Sequence, residues 1–141
     1  MKKVLVLVFL FFLPCRLAVC AETIQTKEVE SFFYADGKME RAEGNFEITY
    51  YIEGDSITRT RVFDLLKKEV IPDDTIYYRQ SKLNSDPKSP LHQEAIDNSV
   101  IRAIGQPGTD AIEILSITDD FVLSCKSTND YFVISRAKRI K

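Results

Sequence analysis

The stretch NFEITYYIEGDSITRTRVF, residues 45–63, decides the fold. Phe46, Ile48, Tyr50 and Ile52 recur at every second position, with Glu47, Thr49, Tyr51 and Glu53 between them. Alternate side chains of an extended chain point to opposite faces, so this is a strand with one buried side. Gly54-Asp55 then reverses the chain in a Gly-led turn that suits the twist of a hairpin. The return run SITRTRVF is rich in Ile, Val and Thr, residues that fit a pleated, half-buried surface. Period two places Arg59 and Arg61 on one face of this run, in phase with Ile57 and Phe63.

Outward from this hairpin the same grammar repeats. DLLKKEVIPDDTIYYRQ, residues 64–80, carries a weak helical spacing at Val62, Leu65, Leu66 and Glu69. A second hairpin with LKKE at its bend is the better reading, because Pro72 ends the run and Pro72-Asp73-Asp74 is a turn by composition. TIYYRQ is then a strand. SVIRAI, DAIEILSI, FVLSCKS and YFVISRAK follow as four short strands, separated by GQPGT, TDD and TND. Upstream, SFFYADGKMERAEG supplies another strand and an Asp36-Gly37 turn. Short strands with Asp, Asn and Gly turns imply an all-β, antiparallel meander. Some eight or nine strands in residues 22–141 predict one domain, a small barrel or a sandwich. Only residues 82–98, KLNSDPKSPLHQEAIDN, break the pattern. Ser89 as cap and Pro90 at the first helical position predict a short helix over 89–97.

IGQPGTD, residues 104–110, has the look of a phosphate-binding loop, but lacks the lysine and the following helix that such a loop needs. An Ile-rich strand follows instead. Pro107-Gly108 fits the two central positions of a type II turn, where glycine supplies a positive φ.

The first 21 residues have the order of a secretory signal: Lys2-Lys3, an apolar run from Val4 to Leu13, then small residues up to Ala21. The ten-residue apolar core is short of the roughly 20 residues of a spanning helix. Cleavage after Ala21 is one expectation. LAVC, residues 17–20, also resembles the lipobox of bacterial lipoproteins, which would place a lipid on Cys20. The expected location is therefore periplasmic or secreted in a bacterium, with a membrane-anchored lipoprotein as the alternative. The segment holds Lys2, Lys3 and Arg16 and no acid, so its removal takes the formal net charge from −2 to −5. An acidic protein is a poor partner for nucleic acid. Cys125 is the one cysteine left after that cut, so no internal disulfide supports the fold.

No catalytic set is legible. The single histidine, His92, lies in the polar 82–98 connection, and Cys125 falls in phase with Phe121 and Leu123, where a small buried hydrophobe is expected. The acid pairs Asp73-Asp74 and Asp119-Asp120 sit in turns without the spacing of a calcium loop. No metal or cofactor is implied.

What remains is the interior. Phe32, Phe33, Tyr50, Tyr77, Tyr78, Phe121, Tyr131 and Phe132 supply aromatic bulk, most of it expected in the core. An eight-strand barrel encloses one small apolar ligand or fills itself with side chains. In size and strand count the chain resembles the lipocalin and fatty-acid-binding class. The lipocalin G-x-W signature is absent, as the chain has no Trp, and no residue roles carry over. The expectation is an exported, non-enzymatic barrel or sandwich that binds a small apolar ligand or lipid, with Arg59, Arg61, Tyr50 and Tyr78 as its contacts. The alternative is a protein–protein interaction module of the cell envelope.

Overall fold

A computed structural model describes residues 21–80 and 100–141. The expected helix at 89–97, His92, Cys20 and the signal segment up to residue 20 lie outside the described residues.

The described chain forms one antiparallel sheet of ten strands closed on itself. In order these are β1 Glu22–Ala35, β2 Lys38–Glu43, β3 Phe46–Glu53, β4 Ser56–Asp64, β5 Glu69–Ile71, β6 Ile76–Arg79, β7 Ile101–Gly105, β8 Ile112–Ile117, β9 Phe121–Ser127 and β10 Tyr131–Arg139. Eight of them make the ring β1-β3-β4-β6-β7-β8-β9-β10, sealed by β10 pairing with β1 from Thr26↔Arg139 to Ala35↔Tyr131. β2 and β5 pair with the far halves of β1 and β4. Of the two architectures left open by the sequence, the barrel is realised.

The turns follow their residues. Asp36 and Gly37 both take positive φ, 50° and 75°, the pair of values a type I′ hairpin requires. Gly54 leads the β3–β4 turn at φ 58°. The Leu65–Lys68 bend joins β4 to β5 as a hairpin. Asp64 Oδ1 accepts from the N–H groups of Leu66 and Lys67, so the aspartate holds the bend through its own backbone neighbours. Gly108 sits at φ 103°, and its N–H donates to Gln106 O at 3.0 Å, so the Gln106–Asp110 loop is a tight turn around Pro107.

Two irregularities bend the staves. β1 shifts register between Glu28 and Glu30, where it changes partner from β3 to β2. Gly44 packs against that point so closely that a Cβ would lie 2.3 Å from Glu28 O. In β4, Tyr50 pairs with Arg59 and Thr49 with Arg61, which leaves Thr60 as the extra residue of a β-bulge. The bulge reverses the phase of the strand. Ile57 and Arg59 point in, Thr60 and Arg61 point out, and Val62 and Asp64 point in again. Arg59 and Arg61 therefore do not share a face, which corrects the period-two reading.

The core fills one end of the barrel with Ile24, Ile52, Ile57, Ala103, Leu115, Ile117 and Val122, beneath which Tyr50 and Tyr77 lie edge to face. Among the described residues, Tyr50 and Tyr77 are the aromatic side chains that are fully buried; Phe33, Tyr34, Tyr51 and Tyr78 are exposed. Cys125 is half-buried on the outside of the barrel. The inward positions of β9 are Val122 and Ser124, so the expected phase of that strand is inverted.

Candidate functional site

Two features merit weighing as sites: a charged cluster inside the barrel and a recess at one open end.

The cluster centres on Glu113. β8 turns Ala111, Glu113, Leu115 and Ile117 inward and leaves Ile112 and Ile114 outside. An ionised carboxylate in an apolar interior needs a cation and hydrogen-bond donors. Arg59 Nη1 meets both oxygens of Glu113, at 3.1 and 2.9 Å. The Tyr77 hydroxyl donates to Oε2 at 2.8 Å, and the Ser124 hydroxyl donates to Oε1 at 2.7 Å. Arg59 also holds Asp73, its Nη2 lying 2.7 Å from Oδ2, and its guanidinium lies 5.6 Å from the centre of the Tyr77 ring. One cation thus bridges two carboxylates contributed by β8 and by the turn before β6.

Protonation states follow. Burial works against the charged form of Arg59, but the hydrogen bond to Asp73 and the charge of Glu113 win and raise its pKa further. Burial opposes ionisation of Asp73 as well, yet the Arg59 guanidinium and the Thr75 N–H hold its carboxyl below the ordinary value. Burial, foremost, pushes the hydroxyls of Tyr50 and Tyr77 upward, so both stay protonated. The cluster is a closed network of ion pairs and hydrogen bonds. Each oxygen of Glu113 already accepts two hydrogen bonds, so the network works as a brace across β4, β6, β8 and β9.

The recess lies where β1 begins and β10 ends. Its volume is about 560 Å³. Ile24, Ile101 and Ile117 form its apolar floor, Thr118 and Asp119 one side, and Glu22, Arg139, Ile140 and Lys141 the rest. Arg139 pairs with Glu22 and donates to Thr118 O at 3.1 Å, and Lys141 Nζ lies 3.6 Å from Asp120. The rim is thus charged and internally paired, and of the isoleucines beneath it Ile24 and Ile117 are almost wholly buried in the core.

The four contact residues expected from sequence separate. Arg59 and Tyr50 meet inside the barrel, in register with each other. Arg61 lies outside with its guanidinium 5.0 Å from the Phe63 ring, and Tyr78 is 61 % exposed on the outer face of β6. Sequence reasoning missed Glu113, Asp73, Tyr77 and Ser124 in the network. It also missed the whole recess, because its walls come from the two ends of the chain and from β7 and β8. Among the described residues, no group of three or more His, Cys, Asp or Glu side chains is placed to hold a metal. Comparison with models of known families, with characterised proteins and with solved structures finds no match to this chain.

Proposed function

We propose that this protein is an exported, non-enzymatic binding barrel whose open end takes a small apolar molecule or lipid. The observation that carries the reading is the recess over Ile24, Ile101 and Ile117. Its volume falls in the range of about 300–1,000 Å³ found for small-molecule sites, and Ile101 and Ile140 offer apolar surface beside the charged groups. The barrel below is filled by side chains, so the ligand rests at the end of the barrel and not along its axis. Arg139 and Lys141 at the rim favour an amphiphile with an acidic head, which would compete with Glu22 for Arg139. Export rests on the order of residues 1–21 alone, and the mass of the exported chain separates a start at Glu22 from a lipid-modified Cys20.

The test uses the absence of Trp. Ile140 is 49 % exposed at the rim, so Ile140→Trp adds a single fluorophore without disturbing the core. Titration with dodecanoate below its micellar range should shift the emission to the blue and saturate. The same variant carrying Ile101→Lys should show no saturable shift. Emission unchanged throughout the titration would overturn the proposal.

A second reading, an interaction module of the cell envelope, draws support from the apolar side chains on the outside of the barrel, Ile104, Ile114 and Ile134 among them.

A further inference from the structure

The charges around the recess are balanced in number but not in pairing. Of the residues that line it, Glu22 and Asp119 are acids and Arg139 and Lys141 are bases. Arg139 holds Glu22, and Lys141 reaches Asp120, which is not part of the lining. Asp119 is left over. It is exposed, and among the described residues it forms no ion pair.

Asp119 is also held in place. The Thr118 N–H donates to Phe121 O at 2.9 Å and the Thr118 hydroxyl accepts from the Phe121 N–H at 3.0 Å, which closes the 118–121 turn. Arg139 clamps that turn on both sides of Asp119. Its Nη1 donates to Thr118 O at 3.1 Å, and its backbone N–H donates to Asp120 O at 2.8 Å. Asp119 therefore stands on the recess wall next to Arg139, yet the two form no ion pair. Two opposite charges, fixed near each other and unpaired with each other, are matched by a molecule that carries both. A purely anionic head gains Arg139 but meets Asp119 and the displaced Glu22, and like charges brought together cost affinity. An ammonium on the same head turns the contact with Asp119 into an attraction.

We propose that the recess selects an amphiphile with a zwitterionic head, its acid group on Arg139 and its ammonium on Asp119. This rests on the reading of the recess as a ligand site, and narrows the head from an acid to an acid that also carries an amine. Arg139 is the anchor because its side chain is only 22 % exposed, whereas that of Lys141 is 84 % exposed and well solvated. Glu22 is the group that gives way. It is the first residue of β1, and strand ends open at little cost.

The test compares two lysophospholipids with the same dodecanoyl chain and the same phosphodiester, one ending in ethanolamine and the other in glycerol. In charge they differ by one ammonium. Each is titrated below its micellar range into the Ile140→Trp chain. The ethanolamine form should bind about two- to fivefold more tightly, the range expected for a contact between partly exposed charges. Asp119→Asn should erase the preference and Asp119→Glu should keep it, both with unchanged circular dichroism, and Arg139→Gln should weaken both probes alike. Equal affinity for the two probes, or a preference that survives Asp119→Asn, overturns the zwitterionic head and leaves the recess as a site for any acidic amphiphile. No saturable shift with either probe or with dodecanoate removes the recess reading and this inference with it. Glycerophosphoethanolamine, the same head without a chain, should not saturate over the same range; affinity equal to that of the lipid would assign the recess to a free zwitterion and overturn the amphiphile.

Discussion

Replacing Glu113 with leucine tests the internal brace most sharply. The carboxylate accepts two contacts from Arg59, one from Tyr77 and one from Ser124, all within 3.1 Å. Leucine has a similar size, so the change creates little cavity. It leaves two hydroxyls without their acceptor and leaves Arg59 with Asp73 alone. Removing one partner of a buried ion pair costs about 3–5 kcal/mol. Against a total stability of about 5–15 kcal/mol, that is a large fraction. With a urea slope of about 2 kcal/mol per molar, the midpoint should fall by roughly 2 M. Urea unfolding followed by far-UV circular dichroism reads this directly. Arg59→Met should cost a similar amount, because it strands Glu113 and Asp73 together. The double variant Arg59→Met with Glu113→Leu should lose much less than the sum, since replacing a whole buried pair by apolar groups is often close to neutral. Arg61→Met, on the outer face, should cost under about 1 kcal/mol. A loss below about 1 kcal/mol for Glu113→Leu, or equal losses for the two arginines, would refute the reasoning.

Other expectations concern backbone and charge. Gly44→Ala should destabilise by about 1–3 kcal/mol or more, because its Cβ would strike the Glu28 carbonyl, which is backbone and cannot swing away. Gly108→Ala, with open space around it but φ at 103°, should cost only the strain of its turn; chemical denaturation compares the two. Deleting Thr60 removes the bulge but leaves Arg59 inward, Arg61 outward and Val62 inward on the same cross-strand partners, so circular dichroism should show the fold retained with only the cost of the lost bend. Burial, the largest effect, raises the pKa of Glu28 above 4.5, against hydrogen bonds from Asn45 N–H, Ser135 and Phe46 N–H. The folded state therefore binds this proton more tightly than the unfolded one, so the stability that Glu28 contributes is present below pH 4.5 and lost as pH rises through its folded pKa. Glu28→Gln should accordingly gain on the wild type as pH rises from 4 to 7, and stability curves against pH that stay parallel would contradict this.

The strands and hairpins were legible because their turns are local chemistry. Asp36-Gly37, Gly54-Asp55 and the bend before Glu69 stand where composition put them. The faces were harder to read. Period two says which residues share a side, but both sides of β8, β9 and β10 carry apolar residues, and in β9 the inward residue that reaches Glu113 is a serine, Ser124, whose register partner is Leu115. Cys125 therefore went to the outside together with Leu123. The bulge at Thr60 shifts the period by one residue within a run of uniform composition, and nothing in RTRV announces it. The start of β1 hides behind its inward residues Ile24, Thr26 and Glu28, two of which are polar. One signal did exist for the network. Glu113 keeps the phase of Ala111, Leu115 and Ile117, and an acid on a buried face demands a cation, for which Arg59 has the matching inward phase beside Ile57. Ring closure and the recess depend on β1 meeting β10, a pairing between the two ends of the described chain that no local pattern encodes.

The measurement that bears most directly on the account is amide chemical-shift mapping of the isotope-labelled protein during titration with dodecanoate. The account predicts saturable shifts gathered at Glu22, Ile24, Ile101, the 117–119 turn and Arg139–Lys141, with the amides around Arg59 and Glu113 unmoved. Shifts centred on the Arg59 network, or confined to the outer row of Ile104, Ile114 and Ile134, would contradict it, as would a spectrum that does not change.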